Sequence, residues 1–214
     1  MREVIFDLNR GIEGLADAMD LPLLDSFAVL TDDEGQLRRE YDYGDGAHLN
    51  VAGYRALGEF VRDSLAPHVR SGMTIGCLGD SLTEGYPYSM ATGAGSLEGD
   101  QRFRPYPEFL RDVGVTPVNM GVAGDTTLDM LRRAREIVPA SMDVCLVMGG
   151  TNDIFAGREV EDILGTLELI YSLLRDIGTA PVAMTVPPVR LFPGLAIGIG
   201  DILDITHSHQ GPAD

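Results

Sequence analysis

The sequence predicts a single α/β domain built on a parallel sheet, and three observations carry that prediction. Short, continuously apolar runs of strand type (MTIGCLG, DVCLVMGG, APVAMTV) alternate with longer stretches whose apolar residues recur at helical spacing. Strands apolar on both faces belong to sheets covered by helices on both sides, the arrangement that parallel β-α-β units produce. The chain of 214 residues, 44% of them hydrophobic, is long enough for one such core and has no linker long enough to divide it.

Taken in order, residues 3–19 place Ile5, Leu8, Ile12, Leu15 and Met19 at helical spacing among charged residues, which predicts an amphipathic first helix. LPLLDSF, residues 21–27, reads as a buried strand, and DDEG at 32–35 as a turn. Tyr54, Leu57, Val61 and Leu65 mark one face of a second helix, with Asn50 placed to cap it. From residue 73 onward the alternation is plain: strand MTIGCLG, helix YPEFLRDV, strand TPVNM, helix TLDMLRRAREIV, strand DVCLVMGG, a long helix over 158–177, and strand APVAMTV. The long helix carries Val160, Ile163, Leu164, Leu167, Ile170, Tyr171 and Leu174 in one stripe, which is a core-facing pattern and no more. Residues 86–104 and everything after Pro188 fit neither period; loops of that length in a compact domain are lids or disordered segments.

Composition removes several classes of function. A formal charge of −17 repels nucleic acid and anionic lipid surfaces, so neither is an expected partner. All 16 basic residues are arginine, which closes P-loop, Schiff-base and Ser-Lys chemistries to this chain. Cys77 and Cys145 each lie in an apolar strand-type run, as buried free thiols do. With no signal-like or membrane-length apolar stretch, the expected location is the cytoplasm.

The chemistry concentrates in four short stretches. GDSLTEG, at 79–85, follows a buried strand and puts Ser81 at that strand's C-terminal end, where open α/β sheets place their sites. A serine needs a base to take its proton and donors to hold an oxyanion. DGAHLN, at 45–50, offers His48 as the base and Asp45, three residues before it, to fix its tautomer. GVAGDTT at 121–127 and GGTND at 149–153 end further strands in the same way and can bring donors to one point.

Together these four stretches resemble the signature blocks of the SGNH hydrolases, also called GDSL esterases and lipases. The resemblance implies a flavodoxin-like, three-layer α/β/α sandwich with a five-stranded parallel sheet and an open site. It implies Ser81 as nucleophile, His48 as base and Asp45 as its partner. It also implies an oxyanion hole made by the backbone N–H groups of Ser81 and Gly124 and the Asn152 side chain. No cofactor and no metal are implied. In the family the Asp-x-x-His block follows the other three; here it precedes them. Residues 1–65 therefore read as the family's C-terminal part and 73–188 as its N-terminal part, a circular permutation of one domain spanning 1–214, with 189–214 a tail or lid. The sheet should then order its strands as 115–120, 73–79, 143–149, 180–186 and 22–27.

The function implied is hydrolysis of short-acyl, aryl or acetylated-sugar esters through an acyl-enzyme. A flavodoxin-like small-molecule binding module, or an inactive relative kept for interaction, is the alternative from another class. Asp80 and Asp125 read as satisfying local backbone donors. His68 reads as a surface residue, and His207 and His209 as incidental members of a polar tail. A permuted chain can also lend its first 65 residues to a neighbour, so a homo-oligomer is a possible partner state beside the ester substrate.

Overall fold

The computed structural model describes residues 1–90, 97–98, 101–137 and 142–190. The N-terminal segment runs α1 (Arg2–Ala18), β1 (Leu23–Leu24), α2 (Ser26–Leu30), and, after a 3-10 turn at Arg39–Tyr41, α3 (Val51–Leu65). The chain continues with β2 (Thr74–Gly79) and α4 (Ser81–Glu84). A small antiparallel pair, β3 (Leu97–Glu98) and β4 (Gln101–Arg102), follows. A 3-10 helix at Tyr106–Val113 leads to β5 (Thr116–Gly121), α5 (Thr127–Ile137), β6 (Val144–Met148), α6 (Thr151–Phe155), α7 (Val160–Asp176) and β7 (Ala180–Met184).

The main sheet has five strands, all parallel, in the order β5-β2-β6-β7-β1. This is the order expected from the sequence, with β6 central and the first strand of the chain closing the edge beside the last. Side chains along each strand alternate between two cores, as the pleat dictates. Cys145 and Val147 face a core formed with α1, α5 and α7, whereas Leu146 and Met148 face one formed with α2, α3 and the 106–113 helix. Three layers result.

The first helix meets the sequence expectation, burying Ile5, Leu8 and Ile12 along its inner face. It also buries Asn9, whose side chain pairs with both the N–H (2.8 Å) and the carbonyl (3.0 Å) of Val186 just past β7. That double bond fastens the N-terminal segment to the last strand. α3 is capped as expected, Asn50 Oδ1 accepting from the Gly53 N–H at 2.9 Å.

Two elements differ from the sequence reading. LPLLDSF is a strand only at Leu23–Leu24, because the Asp25 side chain accepts from the Ala28 N–H and starts α2. YPEFLRDV is a 3-10 helix and not an α-helix: it is only eight residues long, with prolines at 105 and 107 and a left-handed stop at Gly114. The region after Arg190, with His207 and His209, lies outside the described residues, as does part of 86–104. His68 is exposed in the turn after α3, as expected.

Candidate active site

Strand order reverses direction between β2 and β6, and the candidate residues gather at the C-terminal ends of these strands. β2 ends at Gly79; Asp80 then caps α4, its side chain accepting from the Leu82 N–H at 3.0 Å, and Ser81 is the first helical residue. Ser81 is buried but for 7% of its surface.

The segment carrying Asp45 and His48 is folded by its own acids. One oxygen of Asp42 accepts from Gly44 (2.7 Å) and Gly46 (3.0 Å), and one of Asp45 accepts from Ala47 (2.9 Å) and His48 (2.8 Å). The Arg190 N–H donates to the Gly46 carbonyl at 2.7 Å, pinning the loop from the far end of the chain. The second oxygen of Asp45 lies 2.6 Å from His48 Nδ1, and His48 Nε2 lies 3.2 Å from Ser81 Oγ. With Nδ1–H donating to Asp45, Nε2 is free to accept from the serine hydroxyl. Burial raises the Asp45 pKa, but the hydrogen bond and charge of His48, with two backbone N–H groups, outweigh it and hold the carboxyl at about 2. Asp45 is thus a fixed anion behind the imidazole.

The other two loops are stitched to α4. Glu84 Oε2 accepts from the Ala123 N–H at 2.7 Å, and the Asn119 side chain donates to the Thr83 carbonyl at 2.8 Å. Gly121 is required here, since a Cβ would sit 2.1 Å from the Glu84 backbone nitrogen. Gly124 takes a left-handed φ of 84°. Asn152 Nδ2 donates to the Asp125 carbonyl at 2.9 Å, so the Asn152 amide and the Gly124 loop adjoin. That bond occupies one of its two N–H groups and leaves the other available.

Asp80 satisfies a local donor as expected. Its carboxyl is buried, which raises its pKa to about 6 against the lowering effects of the Leu82 N–H and His48; Asp125 and Asp153 add to the rise. Asp125 departs from the expectation. Its side chain ion-pairs with Arg133, which also donates to the carbonyls of Met120 (2.7 Å) and Gly79 (2.8 Å). One guanidinium thereby ties together the ends of β2 and β5 and the Gly124 loop.

The sequence assigned no role to several residues that hold these loops together, even to Glu84 and Asp153, which lie within two of the four stretches. Asp153, fully buried, accepts from the Thr127 N–H (2.7 Å) and hydroxyl (2.8 Å) and pairs with Arg158, locking GGTND to GVAGDTT. Only its place next to Asn152 hinted at a role. Glu84 and Arg133 look, in sequence, like ordinary helix-surface charges. Among the described residues no helix is long and apolar enough to cross a membrane.

Similar solved structures include a G-D-S-L family protein from Desulfitobacterium hafniense DCB-2, 16% identical over 64% of this chain and 71% of that one, with a TM-score of 0.45. The SGNH-hydrolase family esterase AlinE4 is 23% identical over 64% and 69%, with a TM-score of 0.44. An α/β hydrolase enzyme from the metagenome of Lake Arreo, Spain, is 18% identical over 64% and 70%, with a TM-score of 0.43. No curated protein matches the chain. The model of the GDSL-like Lipase/Acylhydrolase family matches residues 77–202, a span that takes in Ser81, Gly124 and Asn152 and leaves Asp45 and His48 before it. With more than half of its residues so matched, the chain belongs to the GDSL-like lipase/acylhydrolase family and is a carboxylic ester hydrolase.

Proposed function

We propose that the chain hydrolyses esters of short acids, aryl and acetylated-sugar esters among them, through an acyl-enzyme on Ser81. The observation that carries this reading is the line Asp45–His48–Ser81, with contacts of 2.6 and 3.2 Å. As Ser81 Oγ bonds to the ester carbonyl carbon, its proton passes to His48 Nε2, and the imidazolium that forms faces the Asp45 carboxylate. The developing oxyanion is held by the Ser81 and Gly124 N–H groups and the Asn152 amide. When the C–O bond to the alcohol breaks, His48 returns the proton to the leaving oxygen. Water, deprotonated by the same nitrogen, then splits the acyl-enzyme and restores Ser81.

The same reading holds that the domain is circularly permuted, 1–65 supplying the base and 73–188 the nucleophile and oxyanion donors. Support lies in the sheet order, where the N-terminal strand is the edge partner of β7. Asp45, His48 and Ser81 meet within one chain, so exchange of the N-terminal segment with a neighbour is not needed to form the line.

Incubation with a fluorophosphonate followed by peptide mapping tests the proposal. Stoichiometric labelling of Ser81, lost in His48→Ala, is the expected result. An unlabelled Ser81 in folded protein sinks the hydrolytic role given to it.

A further inference from the structure

We infer that Tyr43 and Tyr86 form the surface that receives the alcohol half of the ester, and that this surface favours alcohols bearing a flat ring, aryl or pyranose, over open-chain ones. The inference rests on the hydrolase reading above and adds to it the part of the substrate that is read.

Proton transfer fixes which side the alcohol occupies. His48 Nε2 must come within about 3 Å of the leaving oxygen to protonate it. Whatever that oxygen carries therefore extends past the imidazole, toward the groups packed around His48. Those groups are aromatic. The Tyr86 ring lies 4.6 Å from the imidazole, centroid to centroid. The Tyr43 N–H donates to the His48 carbonyl at 2.9 Å, and Tyr43 is 49% exposed, one of the few large hydrophobic side chains so open among the described residues.

The Tyr43 ring is braced from behind, and Tyr86 is held through its backbone. Tyr43 meets Tyr88 edge-on at 6.0 Å, Tyr88 stacks on Phe103 at 4.8 Å, and Phe103 abuts Tyr54 at 5.4 Å. Tyr54 is fully buried and donates its hydroxyl to the Tyr86 carbonyl at 2.6 Å. A surface held in place in this way loses little freedom when a ligand covers it. An exposed ring offers a planar face for stacking or for the C–H groups of a sugar, and a hydroxyl for the rim.

The opposite side of Ser81 is built differently. The Gly121–Thr126 and Gly149–Asn152 loops hold no ring, only short side chains, aliphatic such as Val122 and Ala123 or polar such as Asp125 and Asn152. Selection for size and shape thus falls on the alcohol and not on the acid. Charge adds a further condition. Asp45, Asp80, Glu84 and Asp125 surround the site, and burial, then the Asp45 charge and Tyr43, push the Tyr86 hydroxyl above its ordinary range. An anionic alcohol is disfavoured there.

The test compares phenyl acetate, a monoacetylated methyl xylopyranoside and ethyl acetate. All three form the same acetyl-enzyme, so differences lie in the alcohol alone. Tyr43→Ala is the first variant and Tyr43→Leu, which keeps bulk without a planar face, the second. Loss of one stacking face should lower kcat/KM for the ring-bearing esters about fivefold or more, with ethyl acetate changed less than about twofold. A selective fall on either ring ester supports the surface and says which ring it takes. A parallel fall on all three, or no fall on any, overturns it. The rate of Ser81 labelling by a fluorophosphonate, from which fluoride departs in place of an alcohol, is followed alongside and should not move. Absence of labelling in the unsubstituted protein would instead overturn the hydrolase reading itself, so the two failures are distinct.

Discussion

His48 Nε2 lies 3.2 Å from Ser81 Oγ, although 33 residues and the whole of α3 and β2 separate them and the base comes first in the chain. What holds the imidazole at that distance is Asp45, and the first prediction tests its role. Asp45→Asn keeps the shape but presents an amide donor to Nδ1, which favours the wrong imidazole tautomer. Turnover of phenyl acetate should fall by roughly 10³-fold or more while the protein remains folded. A loss under tenfold would mean that Asp45 is dispensable. With its carboxyl held at about 2, the native enzyme should keep this anion, and the stability it contributes, at every pH above about 4. That contribution is lost as pH falls through about 2.

The proposed oxyanion hole can be tested at Asn152. Asn152→Ala removes the amide and also frees the Asp125 carbonyl it now holds. Its kcat should drop by roughly 10²-fold, with thermal stability within a few degrees of the parent protein. Turnover within a factor of three of the parent would remove Asn152 from the oxyanion hole.

Asp80 supplies a prediction about stability and pH. Its carboxyl ionises near 6 in the folded chain against an ordinary 3.8, so between those values the native state binds the extra proton. Stability from this group is complete below about 3.8 and is lost as pH rises through about 6, at a cost of about 3 kcal/mol. Asp80→Asn retains an oxygen for the Leu82 N–H but cannot ionise. In urea unfolding between pH 4 and 7, the variant should lose less stability than the parent by about that amount. Equal pH dependences for the two proteins would show that Asp80 ionises normally.

The proposed permutation predicts that a re-ordered chain will work. A polypeptide beginning near Met73, running through residue 214, joined there to Met1 and ending near Pro67, restores the block order of the family. Residues 191–214 would form the connection, a length of chain able to span several tens of ångströms. This chain should fold with the same five-stranded sheet and hydrolyse phenyl acetate within about tenfold of the parent. An insoluble or inactive product, beside an active parent, would count against the permuted reading.

Legibility in the sequence followed the range over which each feature is determined. α1, α3 and α7 declare themselves by apolar residues at helical spacing, the main-sheet strands other than β1 by continuous apolar runs, and Ser81, His48 and Asp45 by short motifs that fold locally, whereas β3 and β4 lie in the 86–104 stretch that shows neither period. β1 was overestimated because apolar residues at 26–30 serve a helix as well as a strand, and the choice is made by Asp25 and by the contacts of Ser26 and Phe27 with Thr185, which is distant in the chain. The 3-10 form of 106–113 depends on proline placement more than on period. Asn9, Glu84, Arg133 and Asp153 were illegible for one shared reason. Each is a polar side chain whose partner is a backbone or side-chain group brought near only by the sheet.

The exposed turn between α3 and β2 lies between the two parts of the proposed catalytic apparatus: His48 is on one side of it and Ser81 on the other. A protease site engineered at residues 68–72 therefore divides the enzyme into two polypeptides, neither of which can hydrolyse an ester alone. What joins them after cleavage is non-covalent: the packing of α1 on α7 and of α3 on the 106–113 helix, the Asn9–Val186 pair, the Arg190–Gly46 bond and the short β1–β7 ladder. Ester turnover would then report the association of two fragments, and the molecule becomes a complementation reporter whose signal rises and falls with the affinity of residues 1–67 for the remainder.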